Sequence, residues 1–263
     1  AIIFNMKNFH THTKRCRHAA GEDEEYVLSA IENGFDEIGF SDHAPMLFPQ
    51  GCGYYSSFRM FPQDAKDYAE SIKKLKIKYK DKIEIHLGFE LEYYPELFEK
   101  ELEYLKSFDI DYLILGQHYI NNEYDYQGHY NANETKDENV LKKYVTQCLE
   151  GLETGVFTYL AHPDILNFTG DQTVYRREML RLCKGAKELG CPLEFNFLGF
   201  EDKRNYPRDD FWKIAAETGN DVIMGLDAHS PKFFSMKDLI NEMKEHLNSL
   251  SIIPIDRPVI KKP

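Results

Sequence analysis

The stretch Asn8-Phe-His-Thr-His-Thr13 places two imidazoles one residue apart near the start of the chain. In an extended strand such residues share a face, because side chains alternate with a period of two. His10 and His12 aimed at one point would supply two ligands to a metal ion. The same spacing also occurs in surface loops, so the rest of the chain must decide between the two readings.

Short apolar runs rich in β-branched and aromatic residues predict seven strands: Lys7–His10, Glu37–Phe40, Ile83–Phe89, Tyr112–Leu115, Phe157–Leu160, Pro192–Phe195 and Val222–Gly225. Each ends in residues that can bind a metal or form hydrogen bonds. The first ends in His10 and His12, with His18 in the loop beyond; the others end in Asp42-His43, Glu90, Gln117-His118, His162-Pro-Asp164, Asn196 and Asp227-Ala-His229. Seven of the ten histidines lie in these places, a distribution that random scatter over 263 positions would not produce. His10, His12, His18, His43, Glu90, His118, His162, Asp227 and His229 form a mixed nitrogen and oxygen donor set. It is too large for one ion, so two or three divalent ions are expected, with Glu90 or Asp227 as a bridge and with zinc, manganese or iron favoured over harder ions. His86, one layer deeper in its strand, reads as a hydrogen-bonded core residue, and His129 and His246 read as solvated.

Helical spacing with capping and stop signals fills the intervals, at Glu22–Asn33, Gln63–Tyr79, Pro95–Ser107, Asp137–Thr154, Thr173–Leu189, Pro207–Thr218 and Ser235–Leu250. Seven alternations of strand and helix, with no low-complexity linker, predict an α/β fold: a single barrel domain spanning residues 1–263, with its site where strands end. A doubly wound open sheet is the alternative, weakened because no glycine-rich phosphate fingerprint follows the first strand. Ala1 to Asn5 either extend that strand or precede a start at Met6.

Such an ion cluster activates a bridging water and holds an anionic oxygen substrate, which points to hydrolysis with hydroxide attacking phosphorus in line. Arg15, Arg17, Arg176, Arg177 and Arg204 are candidates to bind the phosphate. Asp42 and Asp164 would either protonate the leaving alkoxide or orient the neighbouring imidazoles. A net charge of −12 disfavours nucleic acid and favours a small phosphorylated substrate. No apolar run reaches 18 residues and no leader-like segment opens the chain, so neither a membrane span nor secretion is expected, and the cytoplasm is. The five cysteines, with no Cys-x-x-Cys pair, read as reduced thiols.

In their order, His10-x-His12, His18, Ser41-Asp42-His43, Gly88-Phe-Glu90, Gly116-Gln-His118, Ala161-His162-Pro163-Asp164 and Gly225-Leu-Asp227-Ala-His229 resemble the polymerase and histidinol phosphatase (PHP) superfamily over essentially the whole chain. The resemblance implies a distorted (β/α)7 TIM-like barrel with a multinuclear site, usually of three ions. Thr11 to Ala19 and Phe40 to Pro45 are most similar to the branch that hydrolyses L-histidinol phosphate. Gly116-Gln-His118 replaces the Ser-Val-His of many relatives, and Leu193–Gly199 lacks an arginine that some members carry, with Arg204 nearby. A nucleotide phosphoesterase or exonuclease on the same barrel is the alternative. A non-catalytic metal-binding barrel is disfavoured because no ligand position is vacant.

Overall fold

The computed structural model describes residues 6–263, and the counts of elements below refer to those residues. Ala1 to Asn5 lie outside them. The chain order is β1 (Met6–Asn8), α1 (Asp23–Glu32), β2 (Phe35–Phe40), α2 (Ala65–Lys78), β3 (Glu84–Leu91), α3 (Phe98–Lys106) and β4 (Tyr112–Leu115). A hairpin of β5 (Tyr119–Ile120) and β6 (His129–Tyr130) follows. The remainder is α4 (Glu138–Glu153), β7 (Phe157–Leu160), α5 (Gln172–Glu188), β8 (Leu193–Asn196), α6 (Phe197–Asp202), α7 (Asp209–Thr218), β9 (Val222–Gly225) and α8 (Lys237–Ser249). Seven parallel strands form one sheet in the order β1-β2-β3-β4-β7-β8-β9, as the seven apolar runs predict.

Between β1 and β9 the sheet closes without a regular ladder. His12 N donates to Ala228 O (2.9 Å), Ala228 N to His10 O (3.1 Å), and Leu226 N to the Asn8 side-chain oxygen (2.8 Å). The amide of Asn8, fully buried, also donates to His10 O and Thr11 Oγ1, so one side chain does the work of several ladder bonds. Phe9, Tyr112, Ile114, Tyr159, Ala161 and Ile223 fill the interior of the barrel, with Ile255 and Ile260 of the C-terminal segment packed against them. That segment is pinned by Ile255 N to Val222 O (2.7 Å) and by Arg257 to Glu37, which also holds His86 at 2.7 Å. His86 is therefore the hydrogen-bonded core residue expected of it. The larger apolar core lies between sheet and helices.

Three local departures from the sequence reading have physical causes. The first strand stops at Asn8, so His10 and His12 sit on extended chain beyond it, fixed by the seam to residues 226–228 and not by strand pairing. The polar stretch Asn121–Asn133 contains β6, and His129 is half-buried there, where two-residue strands leave no periodic signal. α6 forms because Asn196 caps it, accepting from Gly199 N at 2.8 Å. All five cysteines are free thiols, and no described helix is long and apolar enough to cross a membrane.

The long connection after β2 is tied to α3 by Leu47 N, which donates to the buried Glu101 carboxyl (2.8 Å). Burial pushes Glu101 up from its ordinary value to about 8, against the opposing effect of that hydrogen bond. Between about pH 4.5 and 8 the unfolded chain releases this proton while the native state keeps it, so folding stability falls as pH rises through that window. Glu101→Gln, which keeps the acceptor, should abolish this loss. The difference between denaturant midpoints measured at pH 5 and pH 8.5 should be smaller in the variant than in the wild type.

Candidate metal centre

The glycines before the strand-end ligands make room for carboxylates. A methyl group on Gly116 would overlap the Glu90 carboxylate, and one on Gly225 would overlap that of Glu194. His162 and Asp227 lie at φ 30° and 51°, in the left-handed region that non-glycine residues enter at a cost of about 1–3 kcal/mol. Strained backbone at two strand ends points to a site and not to packing alone.

All nine donors expected from the sequence converge at the C-terminal mouth of the barrel. Glu90 stands at the centre. Its Oε2 lies 3.0 Å from His43 Nδ1 and 3.6 Å from both His10 Nε2 and His12 Nε2, and its Oε1 lies 2.9 Å from His162 Nε2 and 3.6 Å from His118 Nε2. Asp227 Oδ1 is 2.9 Å from His12 Nε2 and 3.4 Å from His10 Nε2.

The tautomers follow from what stands behind the rings. The Nδ1–H of His10 donates to Glu194 (2.7 Å), of His12 to Asp42 (3.2 Å), of His118 to Glu92 (2.8 Å), of His18 to Cys16 O (3.0 Å) and of His229 to Asp227 O (2.9 Å). In its neutral form each of these five rings is left with an Nε2 lone pair facing inward. The Nε2 atoms of His10 and His12 are 3.1 Å apart, and those of His18 and His229 are 2.9 Å apart. Lone pairs that close repel unless a cation lies between them. His43 Nδ1 and Glu90 Oε2 are buried without a hydrogen-bond partner.

Charge makes the same demand. Asp42, Glu90, Glu92, Glu194 and Asp227 are all buried around the cluster, and buried carboxylates require compensation. Burial by itself would raise Glu90 and Asp227. The charge of the imidazoles around them outweighs it and holds both well below the carboxylate range. Burial, with the charge of His12, pushes His229 down to about 3, which keeps it in the neutral form that binds metals. The donors present therefore fit divalent ions. Several triads, among them His10-His12-Asp227, His10-Glu90-His162, His12-His43-Glu90 and His18-His43-His229, bring one donor atom each to within 4.8 Å of the others.

His18, His43, His118, Asp227 and His229 of the cluster line a cavity of about 800 Å3. Of the five arginines expected to serve phosphate, only Arg204 reaches its wall, held by Asp202 (2.7 Å) and Tyr206 (3.1 Å). The expectation for the other four is corrected. Arg15 is engaged by Asp23 and Asp67, Arg17 by the carbonyls of Ser56 and Arg59, Arg176 by Glu217, and Arg177 by Glu178. Asp42 is spent on His12 and Thr13. Asp164, fully buried and pushed up to about 7 by burial, accepts from Arg208 N (2.6 Å) and Trp212 Nε1 (3.0 Å). Neither carboxyl lines the cavity; Asp42 meets the His12 ring, as the orienting reading expects, whereas Asp164 holds Arg208 and Trp212 and leaves the Nδ1 of its neighbour His162 without a partner.

Glu92 and Glu194 were missed by the sequence reading. Their signal was the period of two, which puts Glu92 on the face of Glu90 and Glu194 on the face of Asn196. Glu194→Gln should weaken metal affinity by about 10–100-fold, by removing the charge that fixes the His10 tautomer. Titration of the apo protein with a chromophoric zinc competitor would measure this, and unchanged affinity would remove Glu194 from the site.

The PHP domain family is matched over residues 8–197. The chain is 28% identical over 245 residues to a Deinococcus radiodurans protein named "probable histidinol-phosphatase", covering 90% of this chain and 92% of that one. It is 24% identical over 247 residues to the histidinol-phosphatase of Bacillus subtilis, covering 84% and 92%. Its fold is similar to the crystal structure of the Lactococcus lactis histidinol phosphate phosphatase in complex with zinc, L-histidinol and phosphate, with a TM-score of 0.67 at 20% identity, covering 91% of this chain and 94% of that one. With seven parallel strands around a buried histidine and carboxylate cluster, and a family match spanning most of its length, the chain belongs to the PHP domain family.

Proposed function

We propose that this protein is a metal-dependent phosphomonoesterase that hydrolyses L-histidinol phosphate to L-histidinol and phosphate. One observation carries the reading above the others: nitrogen and oxygen donors gather in overlapping triads at the barrel mouth, and five of the nine donor residues line a cavity that Arg204 also lines. The relatives named for this activity, similar along most of their length, supply the substrate.

In this reading His10, His12, His18, His43, Glu90, His118, His162, Asp227 and His229 would hold two or three divalent ions, zinc, manganese or iron. Ions bound there would supply Lewis acidity toward a water and toward the phosphoryl oxygens. The chain's own residues do the rest. Asp42, Glu92 and Glu194 hold His12, His118 and His10 in the tautomer that presents Nε2. Arg204 offers its guanidinium to the phosphate from the wall, and its ion pair with Asp202 limits how far it can move.

The test is phosphate release by protein reconstituted with zinc, manganese or iron. L-Histidinol phosphate should be hydrolysed best, mononucleotides and p-nitrophenyl phosphate poorly, and single-stranded DNA not at all. Failure to release phosphate from every ester would overturn the reading. Asp227→Ala should lose bound metal by elemental analysis and lower kcat by at least about 100-fold, about 2.7 kcal/mol in the barrier, with an unchanged circular dichroism spectrum.

A further inference from the structure

Asp164 is fully buried two residues beyond His162, yet the Nδ1 of that imidazole makes no bond to it. Both hydrogen bonds of the carboxyl fall on one oxygen: Oδ2 accepts from Arg208 N (2.6 Å) and from Trp212 Nε1 (3.0 Å). The first donor is at the cap of α7 and the second in its first turn. Trp212, the single tryptophan of the chain, is itself fully buried against Phe195, at 4.9 Å between ring centroids, so the carboxyl is fastened to the core. Two further bonds join the same stretches. Asn205 Nδ2 donates to Ile165 O (2.9 Å), and the Arg208 guanidinium donates to Phe168 O (2.9 Å) while covering the Tyr175 ring at 4.0 Å. The turn after β7 thus clamps the chain from Asn205 to Trp212.

The residue this clamp holds in place is Arg204. α6 closes at Lys203, in the left-handed region at φ 53°, and Arg204 N donates to Gly199 O (3.0 Å). Arg204 therefore lies between two fixed points, the end of α6 and Arg208 four residues on. Its guanidinium is paired with Asp202, but that pair is exposed to solvent on both sides, so the backbone beneath it decides where the pair stands. Arg204, Asn205 and Tyr206 all line the cavity. A guanidinium fork meets phosphate in a narrow range of orientations, and a shift of the chain that carries it is felt as lost affinity.

We propose that Asp164 is a positioning residue, which by accepting from Arg208 N and Trp212 Nε1 fixes residues 204–208 against the turn after β7 and so sets where Arg204 meets the phosphate. The proposal rests on the phosphomonoesterase reading, with Arg204 as its phosphate contact, and deepens it. Asp164 acts through Arg204 and touches neither ions nor substrate.

The experiment measures the dissociation constant of inorganic phosphate by calorimetric titration of the zinc-loaded protein, beside kcat and KM for L-histidinol phosphate. Arg204→Ala should weaken phosphate binding about 10–100-fold, as expected for a lost hydrogen bond to a charged group. Asp164→Ala should weaken it about tenfold at unchanged zinc content, and by less than about twofold more when Arg204→Ala is already present. Asp164→Asn can keep both hydrogen bonds on its amide oxygen, so it should recover phosphate affinity to within about threefold of wild type and kcat with it, which a proton donor would not allow. Undiminished phosphate binding in Asp164→Ala or in Arg204→Ala overturns the proposal, as does an Asp164→Ala effect that adds in full to that of Arg204→Ala. Loss of zinc from Asp164→Ala also overturns it, by assigning Asp164 to His162. If Asp164→Ala does not fold, Trp212→Phe removes one of the two hydrogen bonds and keeps a ring in the core. Binding weakened at least about threefold then sustains the proposal, and unchanged binding overturns it. If the wild type binds phosphate but hydrolyses no ester, the phosphomonoesterase reading fails alone, and the binding constants still decide the role of Asp164.

Discussion

Glu90 is the constraint on which the rest depends. A carboxylate at the mouth of a barrel, 1% exposed and within 3.6 Å of five imidazoles, is tolerable only if positive charge joins it. Protons can supply part of that charge, as the rise of His10 to about 10 shows: burial alone would lower it, and Glu194, Asp227 and Glu90 overcome the burial. Divalent ions supply more of it from fewer particles, and they also relieve the opposed lone pairs of His10 with His12 and of His18 with His229. The barrel must then be stable enough elsewhere to carry this charge. The apolar core between sheet and helices, with the smaller cluster inside the barrel against which Ile255 and Ile260 pack, is where that stability comes from.

The division of labour follows from the alternation of side chains along a strand. In β3, Glu90 and the adjoining Glu92 share one face, so the same strand supplies a central donor and the acid that orients His118. In β8, Glu194 and Asn196 do the same for His10 and Asp227. Gly116 and Gly225, on neighbouring strands, are small because these carboxylates occupy the space a side chain would need.

How much of this was legible in the sequence depends on the kind of signal. The barrel could be read because each strand is a dense apolar run with a helical interval behind it, and the donor set because histidines at strand ends are rare by chance. The arginines could not be read. Arg15 and Arg17 follow His12 closely, yet their guanidinium groups turn to Asp23, Asp67 and the carbonyls of Ser56 and Arg59, partners set by tertiary contacts up to 52 positions away. The contact of Tyr119 with Tyr130, both of which line the cavity, was hidden for another reason. The two rings meet only because the loop between them forms a hairpin of two-residue strands, too short for any pattern to declare.

The seam between β1 and β9 has a consequence for how the molecule comes into being. It joins His10 and His12 to Ala228 across more than 210 residues, and Asn8 to Leu226 across 218. Pairings this distant carry the loop-closure cost of nearly the whole chain and form late. During synthesis, His10 and His12 therefore emerge before Asp227 and His229 and must wait for them. Until then the nascent chain carries an open sheet edge and an incomplete donor set, and completion of the centre coincides with closure of the barrel.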